Sequence, residues 1–379
     1  MLTIQDKSAC CGCQACYDAC PAKCISMVAD NEGFLYPKVN PADCLDCHLC
    51  EKICPQINDA SPKEADSPVA CYAAFANDDD TRHQSTSGGI FSLLAGAILR
   101  KGGVVFGARF DDRFAVFHSF TETEEGLSPF RGSKYTQSDL QGAYSQALQF
   151  LKSKRPVLFS GTPCQIAGLR SYLRDKEYSN LFLVSIVCRG VPSPRIWKDY
   201  LGDISGRSLP TSVNMRNKDN GWSRYKLVIR REGGTLLNRQ GTDTPFMRAF
   251  LKNLTLRPSC YSCHFRGNHG SDLTIGDYWG VERFHPDMAD DKGTSVILAY
   301  SEKGRKLLEG LDITLHESRY EDALMDNPAI VSPPPEPTDR ARFWNDYQKH
   351  GVRTLRKYTS PGFMQKVWNV CSGHLRRSR

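Results

Sequence analysis

Short apolar runs separated by turn residues, with a few stretches of helical spacing, predict the order of elements along this chain. Residues 25–28 and 34–38 flank Ala29-Asp30-Asn31-Glu32-Gly33, which reads as a hairpin with turn residues at its tip. Residues 59–68 (DASPKEADSP) have no hydrophobic period and hold two prolines, the composition of a linker. A new pattern starts at Val69, with 72–75 as a short strand. Ile90, Phe91, Leu93, Leu94, Ala97 and Ile98 then fall at helical spacing, with Ser85 or Ser87 placed to cap the helix. Gly102-Gly103 ends it, and 104–106 resumes as a strand. The same grammar returns with a strand at 157–159, a turn at 160–163 and a helix at 165–173. Residues 181–187 form a continuous apolar run, the mark of a strand buried on both faces. Residues 273–275 form another strand ahead of Gly276-Asp277, and Pro333-Pro334-Pro335 with Pro337 closes the core.

Strands alternating with helices predict an α/β or mixed α+β body, whose sheet order the pattern does not give. The division is 1–58, a linker at 59–68, a body at 69–337 and a tail at 338–379. No apolar run approaches the length of a membrane span, and MLTIQDKSACCG has neither a basic nor an apolar signal region. The expected location is therefore cytoplasmic. The formal net charge is +7, but residues 340–379 hold ten Lys or Arg against Asp346 alone, which leaves the rest near −2. Such a body is not a nucleic-acid binder by charge. Sixteen cysteines in a long chain of this kind imply metal or redox work rather than disulfides.

Their placing sharpens this. Cys10-x2-Cys13-x2-Cys16-x3-Cys20-Pro21 recurs 34 residues later as Cys44-x2-Cys47-x2-Cys50-x3-Cys54-Pro55. Two-residue gaps let three cysteines of one loop wrap a cubane cluster, while the fourth, beside proline, reaches the other cluster. This assigns Cys10, Cys13, Cys16 and Cys54 to one 4Fe-4S cluster, and Cys44, Cys47, Cys50 and Cys20 to a second. Paired zinc ribbons share the Cys-x2-Cys spacing, but they use two pairs per metal and no trailing Cys-Pro. Residues 5–58 thus resemble a bacterial two-cluster ferredoxin. Cys11, Cys24, Cys71 and Cys371 sit in no ligand spacing and read as buried or spare thiols.

Four cysteines remain. Cys164 lies in Gly161-Thr162-Pro163-Cys164-Gln165, Cys188 follows the apolar strand, and Cys260-x2-Cys263 forms a pair. Loops at strand ends are where sites gather, so these four could hold a third cluster. Equally, the pair could be a redox dithiol and the other two buried residues. Ser87-Gly88-Gly89 ahead of a helix is suited to phosphate, although many helices begin after glycine.

Residues 69–335 resemble the beta subunit of coenzyme F420-dependent hydrogenases and dehydrogenases. The resemblance rests on Ser85-Thr86-Ser87-Gly88-Gly89, Gly161-Thr162-Pro163-Cys164-Gln165 and Cys188-Arg189-Gly190-Val191-Pro192. It continues through Arg216-Asn217-Lys218, Gly221-Trp222, Cys260-x2-Cys263 and Asp272-Leu273-Thr274-Ile275-Gly276-Asp277-Tyr278-Trp279-Gly280. It implies a mixed α/β flavin-binding domain with FAD, a 4Fe-4S cluster on Cys164, Cys188, Cys260 and Cys263, and hydride exchange with a deazaflavin or similar small molecule. It places Ser87, Gly88 and Gly89 at the FAD pyrophosphate, and Lys134, Thr162, Asp272, Gly276 and Asp277 around the flavin. The basic tail is no recognised part of the resemblance.

A flavin takes two electrons as hydride and returns them singly to a cluster. Three readings follow: a flavin-dependent iron–sulfur oxidoreductase served by a redox partner protein or ferredoxin, an electron-transfer subunit feeding a separate catalytic subunit, or a non-enzymatic module with an empty flavin site. In the tail, Phe363, Met364, Val367, Trp368 and Cys371 share a helical face near basic residues. That face is either a peripheral contact to an anionic membrane or acidic partner, or a solvated helix packed on the body.

Overall fold

The hairpin forms where the sequence places it. Asp30 Oδ1 accepts the N–H groups of Glu32 (3.0 Å) and Phe34 (2.9 Å), and Gly33 takes φ +86°, which closes the turn. Strands β1 (Ile25–Ala29) and β2 (Leu35–Val39) then pair antiparallel, Ile25 opposite Val39. The computed structural model describes residues 2–58, 67–206 and 209–360.

The body is built on an eight-stranded mixed sheet in the order β13-β3-β12-β11-β7-β6-β4-β5. These strands are β3 (Ala70–Ala76), β4 (Val104–Phe110), β5 (Val116–Thr121), β6 (Val157–Gly161), β7 (Leu181–Ile186), β11 (Leu273–Asp277), β12 (Ser295–Ala299) and β13 (Ile313–Glu317). Its centre, β11-β7-β6-β4, is parallel. A smaller antiparallel sheet joins β8 (Pro210–Asn217), β9 (Lys226–Arg231) and β10 (Gly234–Gln240). Alternation along the strands divides the core. Val104, Phe106, Val157, Phe159, Leu181 and Leu183 pack under the helices Ala143–Lys152 and Pro163–Tyr172. Val105, Leu158 and Val184 face the helix Ile90–Leu99.

Two expectations change. Neither Ser85 nor Ser87 caps Ile90–Leu99; Gly89 does, at φ +90°. The serine hydroxyls bond elsewhere, Ser85 Oγ to the Thr81 carbonyl and Ser87 Oγ to the Thr294 carbonyl. Second, a break at 337 does not follow the packing. The helices Arg340–His350 and Arg353–Thr359 bury Phe343, Trp344, Tyr347 and Leu355 in one core with Trp197, Leu227 and Phe246. Phe363, Met364, Val367, Trp368 and Cys371 lie outside the described residues. Among those described, no helix is long and apolar enough to cross a membrane.

The N-terminal segment is seated on this body. Asp18 accepts the N–H groups of Tyr144 (3.0 Å) and Ser145 (3.3 Å) at a helix start. The hairpin tip enters a second notch. There Arg195 donates to the Asn31 carbonyl at 2.6 Å, Ser193 donates to the Glu32 carbonyl, and Arg340 pairs with the Glu32 carboxylate. A side chain at position 33 would bring its Cβ to 2.3 Å from Arg195 Cβ, so the fit requires glycine.

Candidate functional site

Each cysteine repeat turns twice through the left-handed region, at Gly12 and Gln14 in the first copy and at Asp46 and His48 in the second. These reversals fold three thiols of each loop inward. Cys16 and Cys54 lie within electrostatic reach of Cys10, and Cys13 of Cys16 and Cys54; burial first and neighbouring thiols second hold the Cys16 and Cys54 thiols above their ordinary value. Cys20, Cys44, Cys47 and Cys50 surround a separate hollow that Cys24 also lines, with Cys24 Sγ 3.4 Å from Cys20 Sγ. This second cage lies at the surface, where Cys47 is exposed and Leu45 keeps 70% of its area.

The remaining set comes together from three places. Cys164 follows β6, Cys188 follows β7, and Cys260 and Cys263 come from the loop after the helix Pro245–Leu251. All four line one cavity beyond the carboxyl ends of the parallel strands, where ligand sites gather in such sheets. Among the described residues, no group of three or more His, Cys, Asp or Glu converges on a single metal ion. A tetrahedral zinc would need its sulfurs within about 4 Å of one another. Four thiols around a hollow fit a cluster better than an ion, and they are not scattered core residues. Burial pushes the Cys188 thiol up to about 12 and raises those of Cys260 and Cys263. A metal group held here would have to displace protons from these thiols.

A fifth thiol in this cavity escaped the sequence reading. Cys11 lines it too, buried between Cys13 of the first cage and Cys164. It has no ligand spacing, and its only signal is adjacency to Cys10. Cys71, by contrast, is buried within β3 as a core residue.

Thr162 and Gln165 form a capping box, Gln165 Oε1 accepting the Thr162 N–H at 2.9 Å, with Thr162 Oγ1 3.2 Å from Cys164 Sγ. Gln165 reaches Ser138 Oγ, which meets His118 Nδ1 at 2.9 Å, while His118 Nε2 faces the Ser160 carbonyl at 3.0 Å. Burial lowers the His118 pKa to about 4. An unfolded histidine titrates near 6.5, so the unfolded chain binds the extra proton first. Stability contributed by neutral His118 is complete above pH ~6.5 and falls by about 3 kcal/mol towards pH ~4. The unfolding free energy measured from pH ~6.5 down to pH ~4 should decline in the wild type and flatten in His118→Gln; equal slopes would refute this.

The other expected residues divide. Ser87, Gly88, Gly89, Thr162, Gly276 and Asp277 lie at the same carboxyl edge of the sheet. Asp272 does not. It precedes β11, about 16 Å away at ~3.3 Å per residue, and its carboxylate accepts from Leu183 N–H (2.8 Å) and Ser301 (2.7 Å). Those bonds tie β11 to its neighbours and leave Asp272 outside the cleft. Gly88 N–H already donates to Ser295 Oγ at 2.9 Å, and a Cβ there would sit 2.4 Å from the Ala74 carbonyl oxygen. The phosphate reading thus narrows to Gly89 and the helix start behind it. Lys134 donates to the carbonyls of Pro129 and Arg131, both at 2.9 Å. Burial of its ammonium lowers its pKa to about 7, although the residue keeps some exposed surface.

Around Asp277 the structure adds partners that the sequence reading quoted but gave no role. Arg216 pairs with it at 3.3 Å, and Trp222 Nε1–H donates to it at 2.8 Å. Trp222 and Trp279 stack with centroids 4.6 Å apart and planes 6° apart. Lys218 donates to the Ser87 carbonyl at 2.9 Å, joining this group to the Ser87–Gly89 turn.

Comparison with known proteins matches residues 9–57 to the 4Fe-4S dicluster domain. Residues 71–144 and 154–319 match the N-terminal and C-terminal parts of the coenzyme F420 hydrogenase/dehydrogenase beta subunit. A solved chain of the xenon-derivatised F420-reducing [NiFe] hydrogenase complex from Methanosarcina barkeri aligns with 77% of this chain and 91% of its own, at 18% identity and a TM-score of 0.47. No curated protein matches.

Proposed function

Because the chain belongs to the coenzyme F420 hydrogenase/dehydrogenase beta-subunit family and carries a 4Fe-4S dicluster domain ahead of it, we propose that it is a flavin-dependent iron–sulfur oxidoreductase subunit. In this reading it connects a protein electron carrier to a small organic hydride donor or acceptor of the deazaflavin kind. Bound clusters supply one-electron steps, and a bound flavin supplies exchange between single electrons and hydride.

The observation that carries the reading is the placing of Cys11. It fills the space between Cys13 of the first cage and Cys164 of the strand-end cage. The two sets of thiols are therefore separated by packed protein and not by solvent. Exposed Cys47 and Leu45 give the second cage a face that an outside carrier can touch. Cys164, Cys188, Cys260 and Cys263 are half-buried around the strand-end hollow. Gly89 with the helix start behind it, Ser87, Lys134, Thr162 and Asp277 are the residues that would hold the flavin. The Arg216–Asp277–Trp222 group fixes the position of Asp277.

Iron, sulfide and flavin measured per chain in anaerobically prepared protein test this. The expected result is iron and sulfide for three clusters and one flavin released by acid. Iron for two clusters with no flavin would leave an electron-transfer module and remove the oxidoreductase reading.

A further inference from the structure

Five arginines are buried among the described residues: Arg82, Arg216, Arg257, Arg266 and Arg340. Three face a carboxylate, Arg82 with Asp290 (2.7 Å), Arg216 with Asp277 (3.3 Å) and Arg340 with Glu32. Arg257 and Arg266 have no carboxylate partner among the described residues. Arg257 is fully buried. Its Nε–H donates to the Cys10 carbonyl at 2.7 Å, and Nη1 donates to Gln137 Oε1 at 3.0 Å. Its Nη2 donates to the Leu35 carbonyl at 3.1 Å and lies 3.5 Å from Cys10 Sγ. Arg266 donates to the carbonyls of Cys188 (2.6 Å), Ala329 (2.5 Å) and Arg189 (3.1 Å), and its buried Nε has no partner.

A guanidinium does not deprotonate in a protein, and an ion taken out of water costs several kcal/mol unless opposite charge answers it. The two unanswered cations are the two that stand beside cysteine cages. Arg257 touches Cys10, and Arg266 lines the strand-end cavity beside Cys188 and Cys263. Four thiolates around a 4Fe-4S core carry net negative charge, which supplies the missing counter-ion.

We propose that Arg257 and Arg266 are the internal counter-cations of the Cys10/Cys13/Cys16/Cys54 cage and of the strand-end cage, and that they raise the reduction potentials of the clusters held there. This rests on the reading that both cages hold clusters. Reduction adds one electron, passed from the neighbouring cage, and moves no proton; the guanidinium is charged before and after. Its attraction is greater for the more negative, reduced form, so the cation favours reduction. None of the five buried arginines stands at the surface cage of Cys20, Cys44, Cys47 and Cys50. Neither Arg257 nor Arg266 should therefore affect the midpoint of a cluster held there.

The test uses Arg257→Gln, Arg257→Lys, Arg266→Gln and Arg266→Lys in the full chain. Iron and sulfide are counted, and each midpoint is read by anaerobic potentiometric titration with electron paramagnetic resonance. Each Gln variant should lower one midpoint, of order tenfold in the reduced-to-oxidised ratio (about 59 mV for one electron), and leave the others in place. Each Lys variant should lie nearer the wild type. Fully loaded Gln variants with unmoved midpoints overturn the proposal. If a Gln variant loses one cluster's iron while its Lys partner keeps it, charge is what the cage needs, and the proposal stands. If both lose it, the role is one of shape, and the proposal fails. A wild type with iron for only two clusters would sink the third-cluster reading and the Arg266 half with it, while the Arg257 arm is read as before.

Discussion

Replacing Cys164 with alanine should cut iron and sulfide by about a third while leaving both N-terminal clusters loaded. The four cavity thiols come from separate segments, and a cubane uses one thiolate per iron. Loss of one ligand leaves the site a thiolate short, with its other thiols raised by burial and by each other. The N-terminal cages share no ligand with it, so their spectra should persist. Cys188→Ala, Cys260→Ala and Cys263→Ala should behave alike. Cys11→Ala separates a ligand from a filler. As a filler its loss keeps the iron and slows electron passage between Cys13 and Cys164; as a ligand its loss costs the cluster. Cys71→Ala, in β3 and not among the residues lining the cavity, should change neither. Unchanged iron in Cys164→Ala, checked by elemental analysis, would mean that the four thiols do not form one cage.

What was legible in the sequence was what depends on neighbours along the chain. The paired cysteine loops, the hairpin and the strand-to-helix turn at Thr162–Gln165 each follow from spacing or a local hydrogen bond. The strand-end cavity joins residues from Cys11 to Ile330, and the sheet order β11-β7-β6-β4 brings the loops of Cys164 and Cys188 together. That order is set by tertiary packing, which no periodicity records. Asp272 shows the converse. Four residues of β11 separate it from Asp277, so two residues of one motif lie at opposite ends of a strand. The caps at Ser85 and Ser87 failed for a further reason, since a serine hydroxyl takes whichever acceptor the fold offers. The basic segment after Pro337 read as a tail because charge on exposed positions hides buried ones three and four residues apart, here Phe343, Trp344 and Tyr347.

Arg340→Ala should destabilise the seat of the N-terminal domain by about 3–5 kcal/mol, the cost of leaving a buried charge without its partner. The side chains of Arg340 and Glu32 are only 10% and 17% exposed. Arg340 also donates to the Leu256 carbonyl and the Tyr261 hydroxyl, both at 3.0 Å, so its loss strands three acceptors together. Burial already holds the Glu32 carboxyl above its ordinary range, with Arg340 working against that. Without Arg340, Glu32 must take up a proton or leave the notch, and either loosens the hairpin tip held by Ser193 and Arg195. The expected readouts are a lower unfolding midpoint and slower electron passage from the N-terminal cages to the strand-end cage, with iron content unchanged. Glu32→Gln combined with Arg340→Met should recover most of the loss, because no ion is then buried. The exposed Arg305–Glu302 pair, whose side chains keep 41% and 59% of their area, is the control: Arg305→Ala should leave stability and electron transfer almost untouched. If Arg340→Ala cost no more than that control, the hairpin tip would not be what holds the two cysteine systems together, and the contact of Asp18 with the helix Ala143–Lys152 would have to carry the docking alone.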